Sequence, residues 1–271
     1  MLNFLFLVPI GFLVGGFGTL IGAGGGFILV PILLLLYPHE NADTITSISL
    51  AVVFFNSLAG TISYSRLKRI DYKSGIIFAI ATIPGSIFGS LATGYMPRNL
   101  FNGIFGFIMI LIGIFLIVRK TTSKSFSGEK KKRYLYRSVV DSDGIKYEFS
   151  YNPIIGVLIS IVVGFLSSFL GIGGGIIHVP ALVNFLNFPV HIATATSHFI
   201  LVIMSFSGTM VHLINGVLSS SFIKVAALSI GAILGAPIGA KLSNKLKGNI
   251  IIKSLALALI IAGVRIFLMA F

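Results

Sequence analysis

A ten-residue phrase occurs twice in this chain, each time inside a long apolar run. Residues 22–31 read GAGGGFILVP, and residues 171–180 read GIGGGIIHVP. Three consecutive glycines are poor helix formers, so a helix is expected to break at the same place in each copy. A duplicated apolar run with matching breaks fits a membrane unit that was doubled. Interrupted helices at a repeat interface are a recurring substrate site in transporters.

Composition supports the membrane reading. The 271 residues are 56% hydrophobic and only 10% charged, with a mean hydropathy of +1.03. Soluble domains carry about 25% charged residues, so this chain lacks the polar surface of a globule. The formal net charge of +13 does not point to nucleic acid. Most Lys and Arg fall in short loops between apolar runs, where the positive-inside rule puts them. Cysteine is absent, which excludes disulfides and thiolate metal or iron–sulfur sites. The first Lys or Arg is Arg66, so the beginning of the chain reads as a membrane segment rather than a signal peptide.

Eight apolar segments are expected: 4–37, 44–64, 73–96, 100–118, 153–188, 190–215, 221–242 and 250–271. The first and fifth are too long for one straight helix. About 34 residues would reach roughly 50 Å, against a hydrocarbon core of about 30 Å. Both contain the glycine phrase, so each reads as two helical pieces. The repeat continues beyond it. Residues 45–49 (ITSIS) align with 193–197 (ATATS), 57–61 (SLAGT) with 205–209 (SFSGT), and Gly85 and Gly89 with Gly235 and Gly239. The chain therefore divides into a membrane repeat at 1–118, a linker at 119–151 and a second repeat at 152–271. The linker starts basic and continues YLYRSVV-DSDG-IKYEFSY. Two β-prone runs around Asp-Gly predict a small cytoplasmic hairpin or a flexible tether.

Charge placement bears on topology. If each glycine-broken segment crosses once, the repeats are parallel, and Arg98, Lys241, Lys245, Lys247 and Lys253 lie opposite the basic side. If each makes a re-entrant hairpin or two crossings, the repeats are inverted, and only Arg98, Lys224 and Arg265 lie opposite. The second arrangement obeys the positive-inside rule better. The expected fold class is an all-α polytopic membrane protein with two repeats, the inverted arrangement favoured over the parallel one, resident in the cell membrane.

Three groups of residues could carry chemistry. The glycines come first: Gly24, Gly25 and Gly26, with Gly173, Gly174 and Gly175, would expose backbone N–H groups at helix starts. Such groups attract anions; the competing role is close helix packing. Hydroxyls and amides come second, chiefly Ser49 and Asn56 in one repeat and Thr194 and Ser197 in the other. Their alternative is a hydrogen bond to a carbonyl of their own helix. Third are His178, His198 and His212, where repeat one has Leu29, Leu50 and Tyr64. They could meet an anion or carry a proton; a neutral, structurally bonded histidine is the alternative. All seven acidic residues read as loop residues, which disfavours a cation substrate and leaves no ligand set for a metal. No cofactor is expected, and no nucleophile–base spacing supports an enzyme.

The doubled GxGGGxxxxP phrase, with the ATATS stretch at 193–197, resembles the TauE/SafE family of sulfite exporters. The resemblance covers nearly the whole chain outside the linker. It implies a polytopic permease for sulfite or other sulfur-containing anions, working without an ATP-binding module. Repeat one departs from the pattern, with ITSIS in place of ATATS. The expected site therefore comprises Gly24–Gly26, Gly173–Gly175, Ser49, Asn56, Thr194, Ser197, His198 and His212, with Pro31 and Pro180 as hinges. The expected partners are a small anion and the lipid bilayer, without nucleic acid; a homo-oligomer is compatible with the sequence. An anion channel on the same scaffold and a non-transporting membrane scaffold are the competing readings.

Overall fold

The computed structural model describes residues 4–118, 134–245 and 248–271. The basic stretch of the linker, at 119–133, lies outside the described residues. Ten α-helices and one β-hairpin are found among the described residues: α1 (Phe4–Ile21), α2 (Gly26–Leu36), α3 (Ala42–Arg66), α4 (Tyr72–Thr93), α5 (Arg98–Val118), β1 (Leu135–Val140), β2 (Lys146–Tyr151), α6 (Pro153–Leu170), α7 (Gly175–Phe185), α8 (Val190–Ile214), α9 (Phe222–Lys245) and α10 (Gly248–Leu268). Eight apolar segments thus become ten helices. The first and fifth runs each fold as a long and a short helix, parted at Gly22–Gly25 and at Gly171–Gly174. Six helices are long and apolar enough to cross a membrane, and residues such as Ile80, Phe88, Leu158 and Leu234 on their outer faces are exposed, as lipid contact requires.

The breaks have a backbone cause. Gly22, Gly24 and Gly25 have φ of +85°, +73° and +82°, and Gly171, Gly173 and Gly174 have +69°, +81° and +76°. A side chain at such φ is strained. A run of these residues turns the chain out of the helix and back.

Glycine also sets how the helices pack. Gly231, Gly235 and Gly239 of α9 lie on the backbone of α1; a Cβ at Gly235 would fall 2.2 Å from the Phe12 carbonyl oxygen. Gly85 and Gly89 of α4 meet Ile161 and Phe165 of α6 in the same way. Small residues admit this closeness, and dispersion across it holds membrane helices together. In both pairs the residue numbers rise together, so the two helices are parallel. In contrast α5 and α10 are antiparallel, with Gly106 against Phe267 and Gly113 against Ile260.

Two ends can be distinguished. At one, Arg98 donates to the carbonyls of Leu34 and Tyr37 at 2.9 and 3.1 Å and also to that of Glu40, and Lys224 Nζ meets Glu40 Oε1 at 2.8 Å. The other carries the hairpin. β1 and β2 pair antiparallel, Leu135 opposite Tyr151 and Val140 opposite Lys146. Phe149 and Tyr151 pack on Phe188 with ring centroids 4.3 and 5.3 Å away. α1 enters from the Arg98 end beside α9, and α2 returns to that end at Tyr37. α6 enters from the hairpin end beside α4, and α7 returns to it at Phe188. Each pair forms a helical hairpin with both ends on the same side of the fold.

One expectation is corrected. The acidic residues do not all lie in loops: Asp43 sits in the first turn of α3, and Glu148 is in β2. A sequence reading sees Asp43 within a polar stretch, Glu40–Thr44, and has no means of telling that the helix has already begun at Ala42.

Candidate functional site

The two glycine breaks cross each other at the middle of the fold. A Cβ on Gly26 would lie 2.7 Å from the Gly171 carbonyl oxygen, and one on Gly175 would lie 2.2 Å from that of Gly22. α3 and α8 flank the crossing. Gly171 rests on Thr46 and Gly173 on Val53; Gly22 rests on Thr194 and Gly24 on Leu201. Ser49 falls between Thr46 and Val53, and Ser197 between Thr194 and Leu201. Residues three and four apart share a helix face, so both serines look toward the glycines.

Their hydroxyls are used differently. Ser49 Oγ donates to the Gly171 carbonyl at 2.6 Å. Ser197 Oγ is buried and has no hydrogen-bond partner among the described residues. Asn56 Nδ2 donates to the Gly24 carbonyl at 3.1 Å, and its Oδ1 accepts from Thr19 Oγ1 at 3.2 Å. His198 Nε2 lies 3.3 Å from Thr19 Oγ1, and its ring meets that of Tyr64 edge-on at 5.5 Å. Thr194 Oγ1 donates to the Val190 carbonyl of its own helix, so its hydroxyl is occupied and its methyl packs on Gly22.

The helix starts behind the breaks are uncapped. Neither Gly25 nor Gly174 can supply a side-chain cap. The N–H groups of Gly25, Gly26 and Phe27, and those of Gly173, Gly174 and Ile176, have no acceptor among the described residues. An uncapped start presents donors and the positive end of the helix dipole, and two such starts converge here without a fixed charge nearby. That is the electrostatics of an anion site.

The remaining expected residues lie elsewhere. His212 is at the far end of α8, where Nδ1 approaches Asp43 Oδ1 at 3.0 Å. His178 is in α7, 3.2 Å from Ser160 Oγ. Pro31 and Pro180 sit inside α2 and α7 rather than at the breaks. Thr19, which joins Asn56 to His198, carries no signal of its own in the sequence: a single threonine in an apolar helix is unremarkable until α3 and α8 are seen to converge on it.

From the Arg98 end a cavity of about 550 Å³ opens, lined in part by Asp43, Thr44, Thr93, Arg98 and Ser220. Below it Ser90 Oγ is buried without a partner, close to Gly208, and Ser86 Oγ and Ser168 Oγ are 2.7 Å apart. Ser167 Oγ, also unpartnered, adjoins Gly174. This hydroxyl-lined face of α4, α6 and α8 runs from the cavity to the glycines.

Ten helices, six of them long and apolar enough to cross a membrane, describe a multi-pass membrane protein. The comparisons agree in class and add the family. The chain matches the family described as Sulfite exporter TauE/SafE over residues 7–266, and it belongs to that family. It is 34% identical to "Probable membrane transporter protein YunE" of Bacillus subtilis, over 98% of this chain and 97% of the relative. It is 29% identical to "Probable membrane transporter protein MJ0441" of Methanocaldococcus jannaschii, covering 78% and 74% of the two chains. No solved structure gives a significant match.

Proposed function

We propose that the chain is a secondary transporter that exports small anions, with sulfite and sulfur-containing organic anions as the substrate class. The observation that carries this reading is the crossing of two uncapped helix starts, each with three acceptor-free N–H groups, beside the unpartnered hydroxyl of Ser197. Backbone N–H donors and a hydroxyl suit an oxyanion better than a cation, which would call for acceptors or a carboxylate. Export along an inside-negative potential needs no carboxylate relay.

The machine is read as a pair of inverted repeats. The α1–α2 hairpin opens to the Arg98 end and the α6–α7 hairpin to the opposite end, and α5 runs antiparallel to α10. Arg66, Lys68, Arg69 and Lys73 cluster at the hairpin end, which supports a cytoplasmic hairpin and an external cavity. Movement of one repeat against the other, with the crossing glycines as pivot, would alternate access.

The test is counterflow of labelled sulfite in proteoliposomes. Wild type is expected to accumulate label against an unlabelled lumenal pool, which a channel does not do. Ser197→Ala removes a hydroxyl that makes no hydrogen bond among the described residues, so folding is expected to be unharmed. A hydrogen bond to a charged group is worth about 1.5–3 kcal/mol, so KM should rise on the order of tenfold or more. Wild-type protein without sulfite or sulfonate counterflow would sink the substrate class; a normal KM in the serine variant would move the site away from the glycines.

A further inference from the structure

The helix pairs α4–α6 and α9–α1 are built on the same glycine spacing, yet one carries hydroxyls that the other lacks. With Gly85 and Gly89 aligned to Gly235 and Gly239, Ser86 and Ser90 of α4 correspond to Ala236 and Ala240 of α9. With the two glycine phrases aligned, Ser167 of α6 corresponds to Gly18 of α1. Ser86, Ser90, Ala236 and Ala240 are all buried. Alanine meets the packing need of these positions in α9, so packing does not explain the serines in α4.

The hydroxyls follow one line. Thr93 lines the cavity, and Ser90 and Ser86 precede it on the same face of α4. Thr93 Oγ1 lies 3.0 and 2.9 Å from the carbonyls of Gly89 and Phe169. Ser86 Oγ donates to the Met204 carbonyl at 2.8 Å and therefore accepts from Ser168 Oγ at 2.7 Å. Those protons are used inside the protein. The protons of Ser90 and Ser167 are not: both oxygens are buried with no hydrogen-bond partner among the described residues. Serine in a membrane helix commonly returns its proton to the carbonyl one turn back, as Ser160 and Ser205 do here. A buried hydroxyl without such a bond calls for an explanation.

Gly208 of α8 keeps room beside them. A Cβ there would fall 2.9 Å from Ser90 Oγ, 3.2 Å from Ser168 Oγ and 3.0 Å from Leu50 Cδ1. The aligned residue in the other half, Gly60, is instead covered by the ring of His198. At the inner end, Ser167 Oγ lies 3.2 Å from where a Cβ on Gly174 would stand, and the Gly174 N–H is one of the acceptor-free donors of the crossing. The stretches that carry this line, 82–93 of α4, 160–170 of α6 and 199–211 of α8, contain no ionisable side chain.

We propose that Ser90 and Ser167 are the free donors of a second anion subsite, between the cavity and the glycine crossing, for a singly charged oxyanion such as a sulfonate. The proposal rests on the anion-transport reading. Hydroxyls and apolar walls replace part of the hydration of one charge; a dianion would need a fixed positive charge in return for its water. Ser167 adjoins both the line of hydroxyls and the crossing, so an anion leaving Ser90 meets the N–H groups of the second glycine break. The other half of the fold offers alanine at the equivalent places and has no such approach.

The chain has no cysteine, so Ser90→Cys and Ala240→Cys place single thiols at aligned positions of the two halves. Each full-length variant, in detergent, is treated with 2-sulfonatoethyl methanethiosulfonate, whose head group is itself a sulfonate, and modification is followed by intact mass. Methanesulfonate is the competing ligand, because sulfite would cleave the disulfide that forms. Ser90→Cys is expected to react severalfold faster than Ala240→Cys, and methanesulfonate should slow it severalfold while sulfate at equal ionic strength does not. No reaction at Ser90→Cys, equal rates at the two positions, or no protection by methanesulfonate overturns the subsite. Protection by sulfate as well overturns its restriction to a single charge. In sulfite counterflow, Ser90→Ala should raise KM about tenfold, the scale of one hydrogen bond to a charged group. The variant is expected to fold, since alanine stands at the aligned position 240. An unchanged KM overturns the proposal. If wild type moves neither sulfite nor methanesulfonate, the transport reading has failed instead, and the labelling and protection rates judge the subsite by themselves.

Discussion

The two ends of the α3–α8 pair occupy aligned positions in the sequence and are built from opposite chemistry. At the cavity end stands His212, buried, with the Asp43 carboxylate 3.0 Å from Nδ1 and neither ring nitrogen hydrogen-bonded among the described residues. At the hairpin end the aligned residue is Tyr64, whose OH donates to the Thr19 carbonyl at 2.7 Å and lies 3.2 Å from Ser243 Oγ. Beyond Tyr64 the hairpin seals the surface. Arg69, 3% exposed, binds Asp141 at 3.0 Å, and Ser142 N–H donates to the Leu67 carbonyl. Arg137 grips Asp71, Asp71 accepts from Ser74, and its own N–H donates to Thr196 Oγ1 of α8 at 3.0 Å. One end is open and sparsely bonded; the other is closed by a network of ion pairs and hydrogen bonds that leaves Arg69 Nη1 without a partner among the described residues.

Mutations can break that contrast. The largest effect is expected at the crossing that both ends share. Gly175→Leu puts a side chain against the Gly22 carbonyl, which is backbone and cannot step aside. Overpacking of this kind typically costs 1–3 kcal/mol and occasionally more, and with backbone on both sides the upper part of that range applies. Loss of folded, monodisperse protein in detergent, seen by size-exclusion chromatography, checks it.

Next comes the closed end. Asp141→Asn leaves buried Arg69 with only the more distant, half-exposed Asp143 at 3.7 Å, and breaking a buried pair costs about 3–5 kcal/mol, with the lower part of that range expected here. Hydrogen exchange of β1 and β2 should report undocking of the hairpin while α5 and α10 stay protected. Acid gives an independent view. Burial alone would raise the Asp141 pKa, but the Arg69 guanidinium and the N–H groups of Ile145 and Asp143 outweigh it and hold the group below the ordinary carboxylate value. A depressed folded-state value means that the stabilisation is complete above the unfolded-state pKa of about 3.9 and is lost as pH falls through the folded one. Docking should therefore survive mild acid and fail below that range. Detachment at pH 5 would contradict the assigned pair.

The turn gives a smaller effect. Gly144 has φ +79° and open space around it, so Gly144→Ala is expected to cost only the left-handed strain, about 1–2 kcal/mol, read in hairpin exchange rates. The smallest belongs to Lys146–Glu148, whose side chains are 61% and 46% exposed. Exposed pairs contribute about 0–1 kcal/mol, so Glu148→Gln should leave hairpin exchange unchanged. An effect as large as that of Asp141→Asn would mean that the hairpin is held by surface charge and not by its buried pair.

Much of this was legible without coordinates. Glycine runs mark helix breaks because a missing Cβ acts locally. Apolar runs mark spans because about 20 residues cross hydrocarbon. The Asp-Gly turn between β-prone runs marks the hairpin for equally local reasons. The hydroxyls were harder. Thr194 and Ser197 look alike in sequence, yet one is bonded to its own helix and the other is free, a difference that depends on how the side chain turns and on what faces it.

The sequence by itself determined the membrane class, the two breaks and the aligned positions around them, since each follows from composition or short-range spacing along one strand of chain. The tertiary structure alone decided that Gly26 meets Gly171 and Gly175 meets Gly22, that Thr19 joins Asn56 to His198, and that Asp43 faces His212. Those contacts arise where helices from distant parts of the chain cross. Crossing geometry is set by the small residues of many helices at once, and no local pattern in the sequence encodes it.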